Sequence, residues 1–161
     1  MKRIIAVLAF VLLAVGVTSA QGIKVGGGLS YANDINSLGL RVDGVYSINK
    51  DIAAGATATY YMEKDGLSWF VIDVNGQYNL LKQDDMTVYG LAGINLTMWN
   101  LSLDLGPFGK IETSGTDTGF NLGAGARKKI GEKMELFGEV KYVASGAGFF
   151  SVGAGILFPI N

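Results

Sequence analysis

Residues 70–80, FVIDVNGQYNL, alternate apolar side chains with polar ones. Successive side chains of a β-strand point to opposite faces of its sheet, so this alternation predicts a strand with one apolar and one polar face. Seven further segments of the chain show the same alternation, and their aromatic residues lie near the segment ends. The pattern is typical of a barrel whose apolar face meets lipid.

These segments predict an all-β fold, a single eight-stranded antiparallel transmembrane up-and-down β-barrel. The predicted strands cover residues 22–31, 38–48, 52–62, 69–80, 86–101, 118–129, 133–143 and 148–158. Such lengths suit a tilted membrane strand of about 9–11 residues.

The connections between the predicted strands differ in character. Tight polar turns are predicted at 47–51, 82–85 and 130–133, and looser loops at 33–37, 63–68, 102–117 and 145–147. Outer-membrane barrels have short turns on the periplasmic side and longer loops outside. We therefore expect the short turns in the periplasm, and an even strand count places both chain termini there.

The first twenty residues have the layout of a secretory signal peptide. A basic start, Met1-Lys2-Arg3, precedes the apolar run 4–17, and Thr18-Ser19-Ala20 offers a cleavage site. The alternative is an N-terminal membrane anchor, but the apolar run is shorter than the roughly 20 residues of a spanning helix. We predict a signal peptide at 1–20 and the barrel domain at 21–161. The chain has no Cys, which excludes a lipoprotein anchor and disulfides.

The composition also favours a membrane barrel. Charged residues make up 17% of the chain, against about 25% in soluble domains. Removing Lys2 and Arg3 from the 13 basic residues leaves 11 against 14 acidic ones, a net charge of −3. Only 127–129 forms a basic cluster, so nucleic acid is not an expected partner.

The apolar parity is predicted to carry two aromatic girdles. The residues near the outer rim are Tyr31, Tyr60, Phe70, Phe120, Tyr142 and Phe150, and those near the inner rim are Tyr46, Tyr78 and Phe158. Aromatic side chains are enriched at both interfaces of a bilayer, where a Tyr hydroxyl can reach water. The girdles therefore indicate outer-membrane lipid as a partner.

The opposite parity holds four cations and four anions. They are Lys24, Arg41, Asp43, Asp73, Arg127, Glu135, Glu139 and Lys141. Unpaired charges in a narrow interior are costly, so equal numbers predict a pairing network. Arg127 and Glu135 lie symmetrically about Gly131, so a simple hairpin would place them opposite each other. At about eight strands side chains fill the lumen, which favours a polar plug. The alternative interpretation of these charges is a gated ion path, and the alternative function is a narrow passive pore for small solutes.

Alternation alone does not say which face is inside. A soluble periplasmic lipocalin-like barrel would turn the apolar parity inward and bind a lipid. Its water-facing surface would then carry only about eight charges on eight strands, fewer than soluble surfaces carry. We therefore retain this barrel only as an alternative.

The last strand, Ser151-Val152-Gly153-Ala154-Gly155-Ile156-Leu157-Phe158, resembles the C-terminal assembly signal of small bacterial outer-membrane β-barrels. The mature chain as a whole resembles this family, of the OmpA/OmpX type and often labelled porin-like. The resemblance implies an outer-membrane location and recognition by the barrel-assembly machinery through Ser151, Gly153, Ile156 and Phe158. The family usually ends on the aromatic residue, whereas here residues 159–161 follow it.

Catalysis is not expected from this chain. It contains no His. The outer-membrane enzymes that this barrel would resemble need a catalytic His. A Ser nucleophile without a general base is not activated. Without His and Cys a zinc or copper site is also not expected, and we predict no cofactor.

The longest predicted loop, 102–117, is the candidate contact surface. Its charged and aromatic candidates are Asp104, Phe108, Lys110 and Glu112. Loops on a rigid scaffold commonly carry binding. We therefore expect a non-enzymatic envelope-integrity or surface-interaction role, with a surface ligand or a host or cell partner. The loop also contains Leu103, Leu105 and Ile111, so the alternative is an apolar tip that folds over the barrel mouth.

Overall fold

The computed structural model describes residues 22–146 and 148–160. The predicted signal peptide lies outside the described residues. The eight strands are β1 (Ile23–Ala32), β2 (Ser37–Ser47), β3 (Ile52–Lys64), β4 (Leu67–Gln83), β5 (Met86–Asp104), β6 (Lys110–Lys129), β7 (Glu135–Ala144) and β8 (Phe149–Ile160). A short 3-10 helix, Gly106–Phe108, lies between β5 and β6.

The strands form a closed barrel in chain order, each antiparallel to its neighbours. The first strand closes the barrel by pairing with the last, from Ile23↔Ile160 to Ala32↔Ser151. The eight-stranded, up-and-down β-barrel is therefore confirmed. Within the two described ranges, no helix is both long and apolar enough to cross a membrane.

The apolar parity points away from the lumen. Leu40, Val42 and Phe120 are 56%, 57% and 71% exposed, whereas polar residues of the other parity are buried inside. The girdle residues Tyr46 and Tyr78 are also exposed. A lipocalin-like barrel needs its apolar side chains inside, so this alternative was wrong.

The connection between β3 and β4 is shorter than predicted. Only Asp65 and Gly66 separate the two strands, with φ angles of 52° and 79°. Two successive residues in the left-handed region are the mark of a tight two-residue hairpin, for which Asp-Gly is a favoured pair. The loop predicted at 63–68 was therefore wrong, because its charged residues 63–64 continue the strand.

The predicted loop 102–117 was also wrong. Strand β5 continues to Asp104, β6 begins at Lys110, and the two pair without interruption from Trp99↔Gly115 to Asp104↔Lys110. The segment 112–118 is rich in Thr, a β-branched residue that suits a strand. Its polarity and its Gly indicated a loop, but a strand that extends beyond the neighbouring strands needs no apolar face.

The connections at the two ends of the barrel have similar lengths. One end carries 33–36, 65–66, 105–109 and 145–148, and the other carries 48–51, 84–85 and 130–134 with both termini. Asymmetry comes instead from the long β5–β6 hairpin. We call its end the hairpin end and the other the termini end.

Candidate functional site: the barrel lumen and the β5–β6 hairpin

An apolar cluster lies at the hairpin end of the lumen. Its buried members are Ala32, Ile35, Tyr61, Trp69, Val71, Val143 and Phe149. The ring of Trp69 lies 5.0 Å from that of Phe149 and 6.4 Å, nearly perpendicular, from that of Tyr61. Ile35 reaches this cluster from the connection 33–36 and is 8% exposed. The three rings therefore pack against one another inside the barrel.

Three hydroxyls lie together in the lumen. Ser30, Tyr61 and Ser151 are each 3.0 Å from the other two. Ser151 is 2% exposed, so this residue of the predicted assembly signal faces the lumen. The triangle fastens β8 to β1 and to β3 from inside the barrel.

Asp73 is the centre of a buried polar cluster. Its carboxylate forms an ion pair with Lys141 and accepts hydrogen bonds from Asn95 Nδ2 at 2.7 Å and Asn121 Nδ2 at 2.9 Å. Asp73 is 1% exposed. A buried carboxylate is tolerated only when such partners replace its lost water.

Arg41 is the centre of a second cluster. Its Nε donates to both carboxylate oxygens of Asp43 at 3.0 and 3.1 Å, and its Nη2 lies 3.5 Å from Glu139 Oε1. Tyr89 Oη donates to Glu139 Oε2 at 3.1 Å. The guanidinium also lies 4.9 Å from the ring centre of Phe137. This arrangement holds one cation between two carboxylates.

The predicted Arg127–Glu135 pairing was wrong. Arg127 is opposite Phe137, and Glu135 is opposite Lys129. The reason is a wider turn, closed by the hydrogen bond from Ile130 N to Met134 O, which moves the centre of the hairpin. Glu135 instead accepts from Lys24 Nζ at 2.7 and 2.8 Å.

Arg127 contacts no carboxylate of the described chain within 4.0 Å. Its Nη2 donates to Gln77 Oε1, and its guanidinium lies 4.2 Å from the ring centre of Tyr89. Its Nε has no hydrogen-bond partner, although the residue is 6% exposed. Among the eight predicted interior charges, Arg127 is thus held by an amide and an aromatic ring instead of an anion.

Two cavities occupy the rest of the lumen. A void of about 10 Å³ lies among Arg41, Asp43, Tyr89, Arg127 and Glu139, and this volume is about that of one water probe. A cavity of about 300 Å³ opens at the termini end. Arg127 is the residue that lines both cavities.

The fold and these contacts can be compared with known proteins. A family model described as the outer membrane protein beta-barrel domain matches residues 5–158. The chain belongs to this family. Membership places the protein in the outer membrane, as predicted, where the exposed apolar band of the barrel meets lipid. Among curated proteins, no relative matches the chain.

Solved structures share the barrel at low sequence identity. The N-terminal β-barrel domain of Pseudomonas aeruginosa OprF is 12% identical with a TM-score of 0.70, over 88% of this chain and 98% of that one. Yersinia pestis Ail, solved with the heparin analogue sucrose octasulfate, is 18% identical with a TM-score of 0.54, over 85% and 97%. The outer membrane enzyme PagL is 13% identical with a TM-score of 0.55, over 85% and 99%. At such identities the likeness shows the fold alone.

In this outer-membrane barrel the β5–β6 hairpin rises beyond the neighbouring strands. Strand β6 pairs with β7 only from Phe120 onward, so the edge 110–118 has no neighbour on its second side among the described strands. Trp99 Nε1 donates to Asp117 Oδ2 at 3.0 Å. Asp104 and Lys110, two of the predicted loop residues, form an exposed pair at 4.0 Å. Phe108 lies in the 3-10 helix, and Glu112 lies in β6.

The other residues of the predicted assembly signal lie along β8. Gly153 is buried beside Arg41, Ile156 is half-buried and Phe158 is exposed on the lipid face. Pro159 continues the strand and pairs with Lys24. The segment that follows the aromatic residue is therefore part of the barrel wall.

Sequence reasoning missed several interior residues. Ser30 and Thr57 bind Tyr61 and Asp43 through their hydroxyls, and Ile35 enters the lumen from a turn. The strand parity could have found the first two, because they share a face with charged neighbours. In the described part of the chain, no group of three or more His, Cys, Asp or Glu side chains could hold a metal ion.

Proposed function

We propose that this outer-membrane barrel is a non-enzymatic scaffold with a plugged interior, and that it makes surface contacts through the β5–β6 hairpin. The single observation that supports it best is the filled lumen. Apolar side chains occupy the hairpin end, two charged clusters occupy the middle, and the void beside the Arg41 cluster is about 10 Å³. A conducting pore needs a continuous water path, which such a filling interrupts.

The chemistry of the interior also supports a structural role. The carboxylates Asp43, Asp73 and Glu139 are all engaged by cations or by hydroxyl and amide donors. A general acid or base must instead face a cleft that admits substrate. The sequence holds no His to activate a nucleophile.

The hairpin supplies the surface for contact. Its edge 110–118 presents unpaired backbone donors and acceptors, which can pair with an extended segment of another chain. Ail binds a heparin analogue, but the charge of this hairpin does not favour a sulfated ligand. Lys110 is outnumbered by Asp104, Glu112 and Asp117. A polypeptide partner fits the edge better.

Conductance in a planar lipid bilayer tests the plug. The refolded barrel should insert without discrete current steps, while a parallel sample shows the heat-modifiable mobility of a folded barrel. Steady single-channel steps from the wild-type chain would favour the passive pore instead.

Excision of the hairpin tests the contact surface. Residues 101–113 are replaced by Asn-Gly, which joins the cross-strand partners Asn100 and Ser114 through a two-residue turn. Cells that express this variant should keep a folded barrel and lose adherence to a protein-coated surface. The control is Asp65→Asn in the other two-residue turn at the same end, which should adhere like wild type. Equal adherence by the excised variant would contradict the proposal.

The proposal also includes export and assembly. We propose that 1–20 directs export and is removed, and that the barrel-assembly machinery recognises β8 through Ile156 and Phe158. Both residues point to the lipid face, where a factor in the membrane can reach them. Replacing Phe158 by Ala should lower the amount of folded barrel in cells without changing refolding of the purified chain into detergent.

A further inference from the structure

We propose that the cavity at the termini end binds a phosphate group, with Arg127 at its buried end. The cavity measures about 300 Å³, whereas a water molecule occupies about 30 Å³ in the liquid. It therefore has room for a tetrahedral oxyanion and several waters. Since both termini lie at this end, the cavity opens to the periplasm.

The walls of the cavity carry more positive than negative charge. Five Lys and Arg residues line it, against three Asp and Glu. One of these carboxylates, Glu135, is already neutralised by Lys24 at 2.7 Å. Lys50, Lys82 and Lys129 stand at the exposed rim. A concave site lined mainly by one sign of charge concentrates ions of the opposite sign, in this case anions.

The environment of Arg127 indicates that this charged cavity is a binding site. The residue is 6% exposed and lines the cavity, and its Nε has no hydrogen-bond partner. No carboxylate of the described residues lies within 4.0 Å of it, whereas Lys24, Arg41 and Lys141 each have one. A buried cation without a counter-ion is costly. A bound oxyanion supplies both the missing charge and the missing acceptor.

Asn79 narrows the class of anion. Its Oδ1 is a buried acceptor without a partner, and it lines the same cavity. Asn79 pairs with Tyr89, and Thr87, two residues away on β5, pairs with Arg127. Because Asn79 Oδ1 accepts hydrogen bonds, a bound anion beside it should carry a hydrogen-bond donor of its own. Free phosphate keeps a hydroxyl at neutral pH and sulfate has none, so the site should prefer phosphate.

Calorimetry of the refolded mature chain tests the site. The protein is held in a non-ionic detergent free of phosphate at neutral pH and titrated with inorganic phosphate, and in parallel with sulfate. Phosphate should bind to a single saturable site, and sulfate should bind more weakly. Arg127→Gln should weaken phosphate binding at least about tenfold through loss of the charged hydrogen bonds.

The matched control is Lys128→Gln, which removes the same charge from the adjacent exposed residue that does not line the cavity. This variant should bind phosphate like wild type. Equal weakening by both substitutions, or no saturable binding to the wild type, would overturn the proposal.

A second measurement does not depend on the folding of the Arg127 variant. Thr87 lines the cavity, and the chain has no other Cys, so Thr87→Cys gives a single reporter thiol. Phosphate should slow its reaction with a maleimide, while equimolar sulfate slows it less. Equal rates with and without phosphate would overturn the site.

The phosphate group could come from free phosphate or from a lipid headgroup of the inner leaflet. The phosphodiester of phosphatidylglycerol has no hydroxyl on its phosphate, but the glycerol hydroxyls of this headgroup can donate to Asn79. The titration is therefore repeated in micelles that contain phosphatidylglycerol. Loss of free-phosphate binding there assigns the site to the headgroup, and unchanged binding assigns it to the free ion.

Discussion

The two ends of the lumen differ in chemistry and in access. At the hairpin end Trp69, Tyr61 and Phe149 pack ring against ring, and the cluster around them is buried. At the termini end a charged cavity of about 300 Å³ opens to solvent. The same alternating pattern of residues builds both ends. The difference shows that parity decides which face a side chain occupies, and side-chain size and charge decide whether the lumen is sealed.

The layer between the two ends explains why they stay separate. Asp73 lies two residues from Val71 of the apolar cluster on β4, and Arg41 lines the small void that shares Arg127 with the cavity at the termini end. Both clusters draw their partners from several strands, and Asn121 Oδ1 in the Asp73 cluster is a buried acceptor without a hydrogen-bond partner. In the proposed scaffold the lumen is therefore closed at the hairpin end and open at the termini end.

The largest effect is expected from the dividing layer. Asp73→Ala leaves Lys141 buried without its anion and should lower the free energy of unfolding by about 4 kcal/mol. The measurement is urea unfolding of the barrel refolded in lipid vesicles. Adding Lys141→Met should recover most of the loss, because the uncompensated charge disappears. A double variant as unstable as the single one would contradict the role of the ion pair.

The next effect concerns the sealed end. Phe149→Ala removes a ring that packs 5.0 Å from Trp69 and should cost about 3 kcal/mol, since the cavity it leaves cannot fully collapse. The control is Phe150→Ala. Phe150 is the next residue along β8, and its side chain is 54% exposed on the lipid face, away from the cluster. The same urea series compares them. Equal losses would mean that the apolar cluster adds nothing specific.

A smaller effect is expected where the wall approaches Tyr89. A Cβ at Gly125 would overlap the Tyr89 ring, which Arg127 and Glu139 hold in place. Gly125→Ala should therefore cost about 2 kcal/mol through overpacking. Gly138→Ala is the matched control, because a Cβ there meets no atom within 4 Å. It should be neutral or slightly stabilising, and comparable losses at both positions would show that the loss does not come from overlap with Tyr89.

The smallest effect is expected at the open end. Lys24→Ala breaks the ion pair with Glu135, but the two side chains are 21% and 9% exposed and line the open cavity. The loss should be about 1 kcal/mol, well below that of the buried pair. Salt should reduce it further. A loss as large as that of Asp73→Ala would mean that this end is as closed as the other.

Much of this molecule could be predicted from its sequence, for a physical reason. The period of two sets strand and face, so the eight strands and the outward girdles followed from residues such as Tyr46 and Tyr78. The register between β6 and β7 could not be predicted from the sequence, because the width of the turn 130–134 decides which residue faces Glu135. The extension of β5 and β6 into a long hairpin could not be predicted either. Thr and Ser above the membrane form a strand without the alternation that marks one inside it.

Labelling of single cysteines at the two ends tests the central claim most directly. The chain contains no Cys, so Thr87→Cys reports on the open cavity, and Thr59→Cys reports on the lumen, where Thr59 is 3% exposed. An impermeant thiol reagent is added to intact cells and to osmotically shocked cells. We expect Thr87→Cys to react only after shock, and Thr59→Cys to react in neither sample unless Phe149→Ala is also present. Rapid labelling of Thr59→Cys in intact cells would contradict a lumen that is sealed from outside.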